Sequence, residues 1–322
     1  MLMKVFAFLI LAGGLNICCA DFEQILGSPQ ANNPYERPPM VPMQLRFGAA
    51  GRLFVWRQNG DSELWDIGAS KFSRLGNSKV FAVCDDGFVT GDESGLVVFK
   101  GFENSRPVSI SSGGPHDYAS MSADCQLLLL AGVDRPTELW QVQAVKRLRT
   151  FVTTLPVRNG AVIAANGKSV LLAEGVYQDG HQTLLSYWPV EAMTAQLALD
   201  ERPEKIVGMW NIRLSRDGRY LATTTQHNSK SGALVMDVST GKRIFETAGR
   251  TSYWIRGLDL SDSLLAIGDE LGGVVVWDIN SKAALLDTNV GQVVQSVAIS
   301  PDNKTLAVGL WDATIGLLQI AK

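Results

Sequence analysis

A repeat of about forty residues is the feature that most constrains the fold. Each unit reads as an apolar strand, a polar turn, a second apolar strand, a Gly/Asp-rich turn and a third strand that ends near a bulky apolar residue. Four strands per unit at this period are the signature of a β-propeller. Seven third-strand positions recur at intervals of 34 to 48 residues, namely Trp65, Phe99, Trp140, Trp188, Met236, Trp277 and Leu318.

The seven positions predict an all-β chain folded as one seven-bladed β-propeller of four-stranded antiparallel blades. Each sheet has two apolar faces, which neighbouring blades cover when the sheets pack radially. The last unit supplies only three strands, and an open blade would expose a long unpaired edge. Residues Phe22 to Leu26 alternate apolar and polar side chains, as a half-buried strand does. We therefore predict that this N-terminal strand closes the ring.

Three segments follow from this interpretation. Residues 1–20 are a signal peptide, 21–44 hold the closing strand and a linker, and 45–322 form the propeller. One alternative stays open, in which 21–44 are a disordered tail.

Several units carry motifs that resemble those of the WD40-repeat family. The motifs are Ser-Pro-Asp at 300–302, Leu-Ala at 306–307, Trp-Asp at 65–66 and 277–278, and Ser-Arg-Asp-Gly at 215–218. The resemblance covers roughly residues 43 to 322 and implies a propeller whose ring is closed by a strand from the other end of the chain. The Gly-His pair that opens many family repeats is nearly absent, and Pro115–His116 comes closest to it. The resemblance therefore leaves open a related propeller without the hydrogen-bonded network that this histidine joins.

The first twenty residues have the pattern of a secretory signal peptide. Lys4 precedes an apolar run from Val5 to Leu15, and small residues at Cys18 and Ala20 follow. The run is too short to span a membrane, which needs about 20 apolar residues. We expect cleavage after Ala20 and a secreted or periplasmic protein without membrane insertion. Lipidation at Cys18 or Cys19 is one alternative, and an uncleaved anchor is another.

Composition and motifs exclude some functions and leave others open. The chain has a formal net charge of −3 and a pI of about 5.7, which argues against nucleic-acid binding. It contains no Gly-x-Ser-x-Gly elbow, no phosphate-binding loop and no Cys-x-x-Cys pair. We therefore expect a monomeric, non-catalytic scaffold that binds a protein partner and holds no cofactor. The alternatives are a propeller enzyme, such as a metal-dependent hydrolase or lactonase, and a carbohydrate or small-ligand binder.

Propeller topology places the connections into the first strands of the blades on one face. Trp, Tyr and Arg, which dominate interface hot spots, are frequent there. Some of them have an alternative role, in which they pack into the blade below. The predicted partner-binding residues are His116, Tyr118, Arg158, Trp210, Tyr253, Trp254 and Arg256.

Histidine and cysteine give two further hypotheses. His116, His181 and His227 lie in connections of one face and are weak candidates for a metal site, while His116 alone also fits a structural role. Cys84 and Cys125 fall in turns of neighbouring blades. A disulfide needs Cα atoms within about 4.4–6.8 Å. We expect these turns to lie further apart, so the sequence favours two unpaired thiols.

Overall fold

A computed structural model describes most of the chain from Phe22 to Ile320. The described ranges are 22–27, 40–48, 51–102, 106–153, 155–176, 182–191, 197–198, 211–227, 230–247 and 254–320. These ranges form 28 β-strands and contain no helix. The described residues therefore include no helix that is long and apolar enough to cross a membrane. The predicted signal peptide lies outside the described residues.

The strands form seven four-stranded antiparallel sheets, as predicted. The first blade holds β2 (Pro42–Phe47), β3 (Arg52–Arg57), β4 (Asp61–Asp66) and β5 (Lys71–Asn77). The second holds β6 (Val80–Cys84), β7 (Gly87–Gly91), β8 (Leu96–Gly101) and β9 (Val108–Ser111). The third holds β10 (Tyr118–Met121), β11 (Leu127–Gly132), β12 (Arg135–Gln141) and β13 (Lys146–Phe151). The fourth holds β14 (Val157–Ile163), β15 (Ser169–Val176), β16 (Gln182–Pro189) and β17 (Leu197–Ala198).

The last three blades follow the same plan. The fifth holds β18 (Ile212–Leu214), β19 (Tyr220–His227), β20 (Lys230–Asp237) and β21 (Arg243–Glu246). The sixth holds β22 (Ile255–Leu260), β23 (Leu264–Asp269), β24 (Gly273–Asp278) and β25 (Ala284–Asn289). The seventh holds β26 (Val294–Ile299), β27 (Thr305–Leu310) and β28 (Ile315–Gln319), completed by β1 (Gln24–Leu26). All seven predicted bulky positions lie on the third strands.

The core lies between the blades and not within any one of them. The buried apolar residues of the described chain form seven clusters, and each cluster joins two adjacent blades. Leu129 and Leu139 of the third blade, for example, pack against Val170 and Leu172 of the fourth. Each sheet therefore depends on both neighbours to cover its faces.

The prediction that an N-terminal strand closes the ring is confirmed. β1 pairs antiparallel with β28, with Gln24 opposite Leu317 and Leu26 opposite Ile315. Leu26 is 1% exposed and belongs to the cluster between the seventh and first blades. Phe22 packs directly over Gly316, where any Cβ atom would come within 2.1 Å of its ring. A larger residue at this position of β28 would therefore displace the Phe22 ring.

A buried ion pair also joins the two ends of the ring. Arg57 binds Glu63 through two hydrogen bonds of 2.7 and 2.8 Å, and both residues are almost fully buried. Nη1 of Arg57 also donates to the carbonyl oxygen of Ala313 in the seventh blade. Glu63 accepts the indole N–H of Trp65 as well. A glutamate two residues before the tryptophan thus satisfies the indole N–H.

The expectation of unpaired thiols is wrong. The structure joins Cys84 and Cys125 in a disulfide, with their Cα atoms 5.3 Å apart. A backbone hydrogen bond of 2.9 Å from Asp85 N to the carbonyl oxygen of Ala123 links the two turns. This bond draws the turns closer together than the sequence argument assumed. The disulfide therefore cross-links the second and third blades.

Leu26→Ala should destabilise the protein by about 2–5 kcal/mol, because it removes a fully buried side chain from the seam that closes the ring. Ile25→Ala is the matched control, since Ile25 lies on the same strand but is 47% exposed. Urea unfolding of both variants measures the difference. Equal stability of the two variants would contradict the burial of Leu26 at this seam.

Reduction should lower the stability of the protein, because a disulfide typically contributes about 2–4 kcal/mol. Thermal unfolding with and without dithiothreitol measures this change. The double variant Cys84→Ala/Cys125→Ala is the control, and its melting temperature should not respond to the reductant. A wild-type melting temperature that is equally insensitive would argue against the bond.

Candidate functional site

One face of the ring carries the loops that lead into each inner strand. The strands of a blade run antiparallel, so the connections between blades and the loops between second and third strands share one face. We call this face the upper face. The seven inner strands, β2, β6, β10, β14, β18, β22 and β26, surround a central channel whose cavity is about 920 Å³.

Three predicted residues, Tyr118, Trp254 and Arg256, line this channel. The hydroxyl of Tyr118 donates a hydrogen bond to the carbonyl oxygen of Arg158, a fourth predicted residue. Trp254 is 45% exposed just before β22 begins. These side chains lie on or beside rigid inner strands, which fix them without help from a long loop.

Arg256 is held by two neighbours. Its guanidinium forms an ion pair with Glu270 in the same blade. Its carbonyl oxygen accepts a hydrogen bond of 2.9 Å from Nδ2 of Asn211 in the fifth blade. Its Nε is buried and has no hydrogen-bond partner in the described part of the chain. Arg256 is therefore fixed in position but keeps a donor that is not used.

His116 was wrongly predicted as a contact residue, because it is only 2% exposed. Its Nε2 lies 2.6 Å from the hydroxyl oxygen of Ser112. Burial lowers the pKa of His116, so its imidazole is neutral at pH 7. The burial of His116 and its contact with Ser112 favour a structural role for this residue over contact with a partner.

The other predicted residues cannot be placed in the site. Trp210, Tyr253 and His181 lie outside the described residues, and only the backbone of His227 is described, at the end of β19. In the described ranges, no three His, Cys, Asp or Glu side chains come close enough together to hold a metal ion.

Three exposed apolar residues of the upper face are not among the predicted site residues. Leu96 and Leu271 lie where loops lead into third strands, and Val152 lies in the connection into the fourth blade. They are 41%, 53% and 85% exposed, respectively. Single exposed apolar residues carry no sequence signal, because their exposure depends on the packing of the loops around them.

Three charged residues inside the channel are also absent from the predicted site. The penultimate residue of every inner strand occupies an equivalent position, and six of the seven line the cavity. In blade order these residues are Arg46, Val83, Ser120, Val162, Arg213, Asp259 and Ala298. Arg213, Asp259 and Arg46 belong to the fifth, sixth and first blades and are separated only by Ala298. Aligning the repeats on the ends of their inner strands would have brought these charges to attention.

Both arginine side chains approach the carboxylate of Asp259. Nη1 of Arg46 lies 3.4 Å from Oδ1 of Asp259, and Nε of Arg213 lies 3.7 Å from the same oxygen. Oδ2 of Asp259 accepts the backbone N–H of Ile299 at 2.8 Å. Burial and the positive charge of Arg46 lower the pKa of Arg213 to about 9, so Arg213 is still protonated at pH 7.

Comparisons with known proteins agree with the architecture. No protein-family model matches the chain. WD repeat-containing protein 55 of Homo sapiens is 29% identical over 114 residues, and that of Pongo abelii is 31% identical over 117 residues. Each match covers 34% of this chain and 29% of the relative, so it spans less than a third of those proteins. The chain is a WD40-type β-propeller.

A solved structure supports the fold of this WD40-type propeller over nearly its whole length. The hydrazine synthase structure of Kuenenia stuttgartiensis superposes with a TM-score of 0.69 and covers 91% of this chain and 99% of the other. At 12% sequence identity, the likeness shows the fold alone.

Proposed function

We propose that this propeller is an exported protein-interaction scaffold that binds a protein partner through its upper face and has no catalytic activity of its own. The observation that carries the proposal is Trp254, which is large, 45% exposed and fixed at the mouth of the channel. Tryptophan, tyrosine and arginine are the residues that most often dominate binding energy at interfaces. Tyr118 and Arg256 at the same mouth supply the other two types.

The distribution of exposed apolar residues also favours the upper face. Leu96, Val152, Trp254 and Leu271 all lie on this side of the ring. Exposed apolar residues at a rigid rim provide contacts that lose little conformational freedom on binding. The likeness to WD repeat-containing protein 55 supports a role in binding rather than catalysis.

Export is part of the proposal and has two supports. The residues from Lys4 to Ala20 have the pattern of a secretory signal peptide. The bond between Cys84 and Cys125 is of a kind that persists in oxidising compartments and is rare in the cytosol.

Trp254→Ala should weaken capture of the partner by about 2 kcal/mol, which is roughly thirtyfold in affinity. The partner is first isolated from the exported fraction with the wild-type propeller, and affinities are then measured by calorimetry. Leu148→Ala is the matched control, because Leu148 is 43% exposed on the outer strand β13. Wild-type affinity in both Trp254→Ala and Arg256→Ala would place the binding site elsewhere.

One stoichiometric Ca²⁺ or Zn²⁺ in the purified protein would favour the enzyme alternative instead.

Exported protein should begin at Asp21 and contain no free thiol, because the only two cysteines after Ala20 are bonded to each other. N-terminal sequencing and thiol titration of the denatured, unreduced protein measure both properties. Protein that begins at Met1 in the soluble cell fraction, with free Cys84 and Cys125, would contradict export.

A further inference from the structure

We propose that the central channel binds a small organic anion whose acidic group lies between the guanidinium groups of Arg46 and Arg213. This site lies inside the ring, and it does not depend on partner binding at the upper face.

The charges of Arg46, Arg213 and Asp259 do not balance within their cluster. Arg46 and Arg213 both approach one oxygen of Asp259, at 3.4 and 3.7 Å, and the other oxygen of Asp259 is occupied by the N–H of Ile299. Two positive charges therefore share one negative charge, which leaves a net charge of +1 on the cluster. A ligand with one negative charge would neutralise the cluster, whereas a dianion would reverse its sign.

The other basic residues that line the channel form ion pairs of their own. Arg256 pairs with Glu270, and Lys79 lies 3.3 Å from Glu93. Arg216, at the lower end, lies 2.7 Å from Asp85. Asp117 and Asp262 also line the channel, and Asp117 lies 3.8 Å from Lys79 while Oδ1 of Asp262 accepts the backbone N–H of Asp217. Among the described residues, neither carboxylate forms an ion pair with Arg46 or Arg213, so the cluster itself keeps its net charge of +1.

Both guanidinium groups keep donors for a ligand. Arg213 uses Nη1 to donate to the carbonyl oxygen of Ile212, and Arg46 uses Nη1 for the carbonyl oxygen of Leu45 and for Asp259. Within the described ranges, the Nη2 atoms of both arginines have no hydrogen-bond partner, whereas the Nε of Arg213 is buried and lies 3.7 Å from Oδ1 of Asp259. A guanidinium carries five N–H groups in a planar fork that suits a carboxylate. The two forks can therefore hold an acidic group that the protein itself does not supply.

The rest of the channel suits an apolar ligand body. The equivalent positions on the opposite side of the ring are Val83, Ser120 and Val162. The cavity of about 920 Å³ is large enough for a small organic molecule. The hydroxyl oxygen of Ser120 already accepts the N–H of Ile163. A ligand that places its acidic group at the two arginines and its apolar body toward Val83 and Val162 is an organic monoanion.

Calorimetric titration of the whole chain in low-chloride buffer tests the site, with benzoate as the probe. Benzamide has the same shape without the charge, and inorganic phosphate has charge without an apolar body. We expect benzoate to bind and the other two to bind at least about tenfold more weakly. Equal binding of benzoate and benzamide, binding of phosphate alone, or no binding of benzoate would overturn the proposal.

Variants then assign binding to the cluster. Arg213→Gln and Arg46→Gln should each weaken benzoate binding at least about tenfold. Asp259→Asn should strengthen it severalfold, because it removes the competing negative charge and keeps an acceptor for Ile299. Arg74→Gln is the control, since Arg74 belongs to the first blade like Arg46 but is 68% exposed on β5. Unchanged affinity in both cluster arginine variants would overturn the proposal.

A stability measurement separates a binding role from a structural one. A largely buried arginine that shares its only carboxylate destabilises a fold relative to an apolar residue of similar length. Arg213→Met should therefore melt a few degrees higher than wild type while it loses benzoate binding. A lower melting temperature together with unchanged binding in Arg213→Gln would make Arg213 a structural group and overturn the proposal.

Discussion

Contact between the seventh and first blades is the constraint on which the other packing depends. No blade covers its own faces, so each cluster of buried residues exists only because two neighbouring sheets meet. If one contact opens, the faces on both sides of it are exposed to water. The chain holds this contact with β1, whose Leu26 enters the cluster there, and with Arg57, which bonds to Glu63 and to the carbonyl oxygen of Ala313. The buried ion pair is fully hydrogen-bonded, so loss of one partner would leave an uncompensated charge.

A closed ring determines what the inner strands can be used for. Their lateral positions are fixed on both sides by neighbouring blades, and six of the seven penultimate residues line the channel. Val83 and Val162 also pack against clusters between blades, and Ala298 lies within one, whereas Arg46 and Arg213 belong to none of these clusters. Arg213 and Arg46 occupy such positions, where an unbalanced charge lowers stability without breaking a blade. The Arg57–Glu63 pair shows how the same chain satisfies buried charges when they serve the fold. The contrast between the satisfied pair and the unbalanced cluster is the physical reason for assigning the cluster to ligand binding.

The upper face and the channel meet at Trp254 and Arg256. Both residues line the cavity and also lie at its mouth, on or beside β22, the strand that carries Asp259. A partner bound at the mouth and an anion inside the channel would therefore contact the same strand. The lower end has a different character, because the Cys84–Cys125 bond and the ion pair of Arg216 with Asp85 join turns of different blades.

The sequence by itself determined the number of blades, the strand order and the closing strand. These features are local and periodic: the bulky third-strand residues recur in order, and the alternation from Phe22 to Leu26 can be read directly. The tertiary structure decided the disulfide, the burial of His116 and the cluster of Arg46, Arg213 and Asp259. Each of these depends on distances between residues of different blades, such as the hydrogen bond from Asp85 to Ala123 that draws two turns together. The period of a repeat gives the order of its parts along the chain, but ring curvature and the depth of each side chain decide which of them meet.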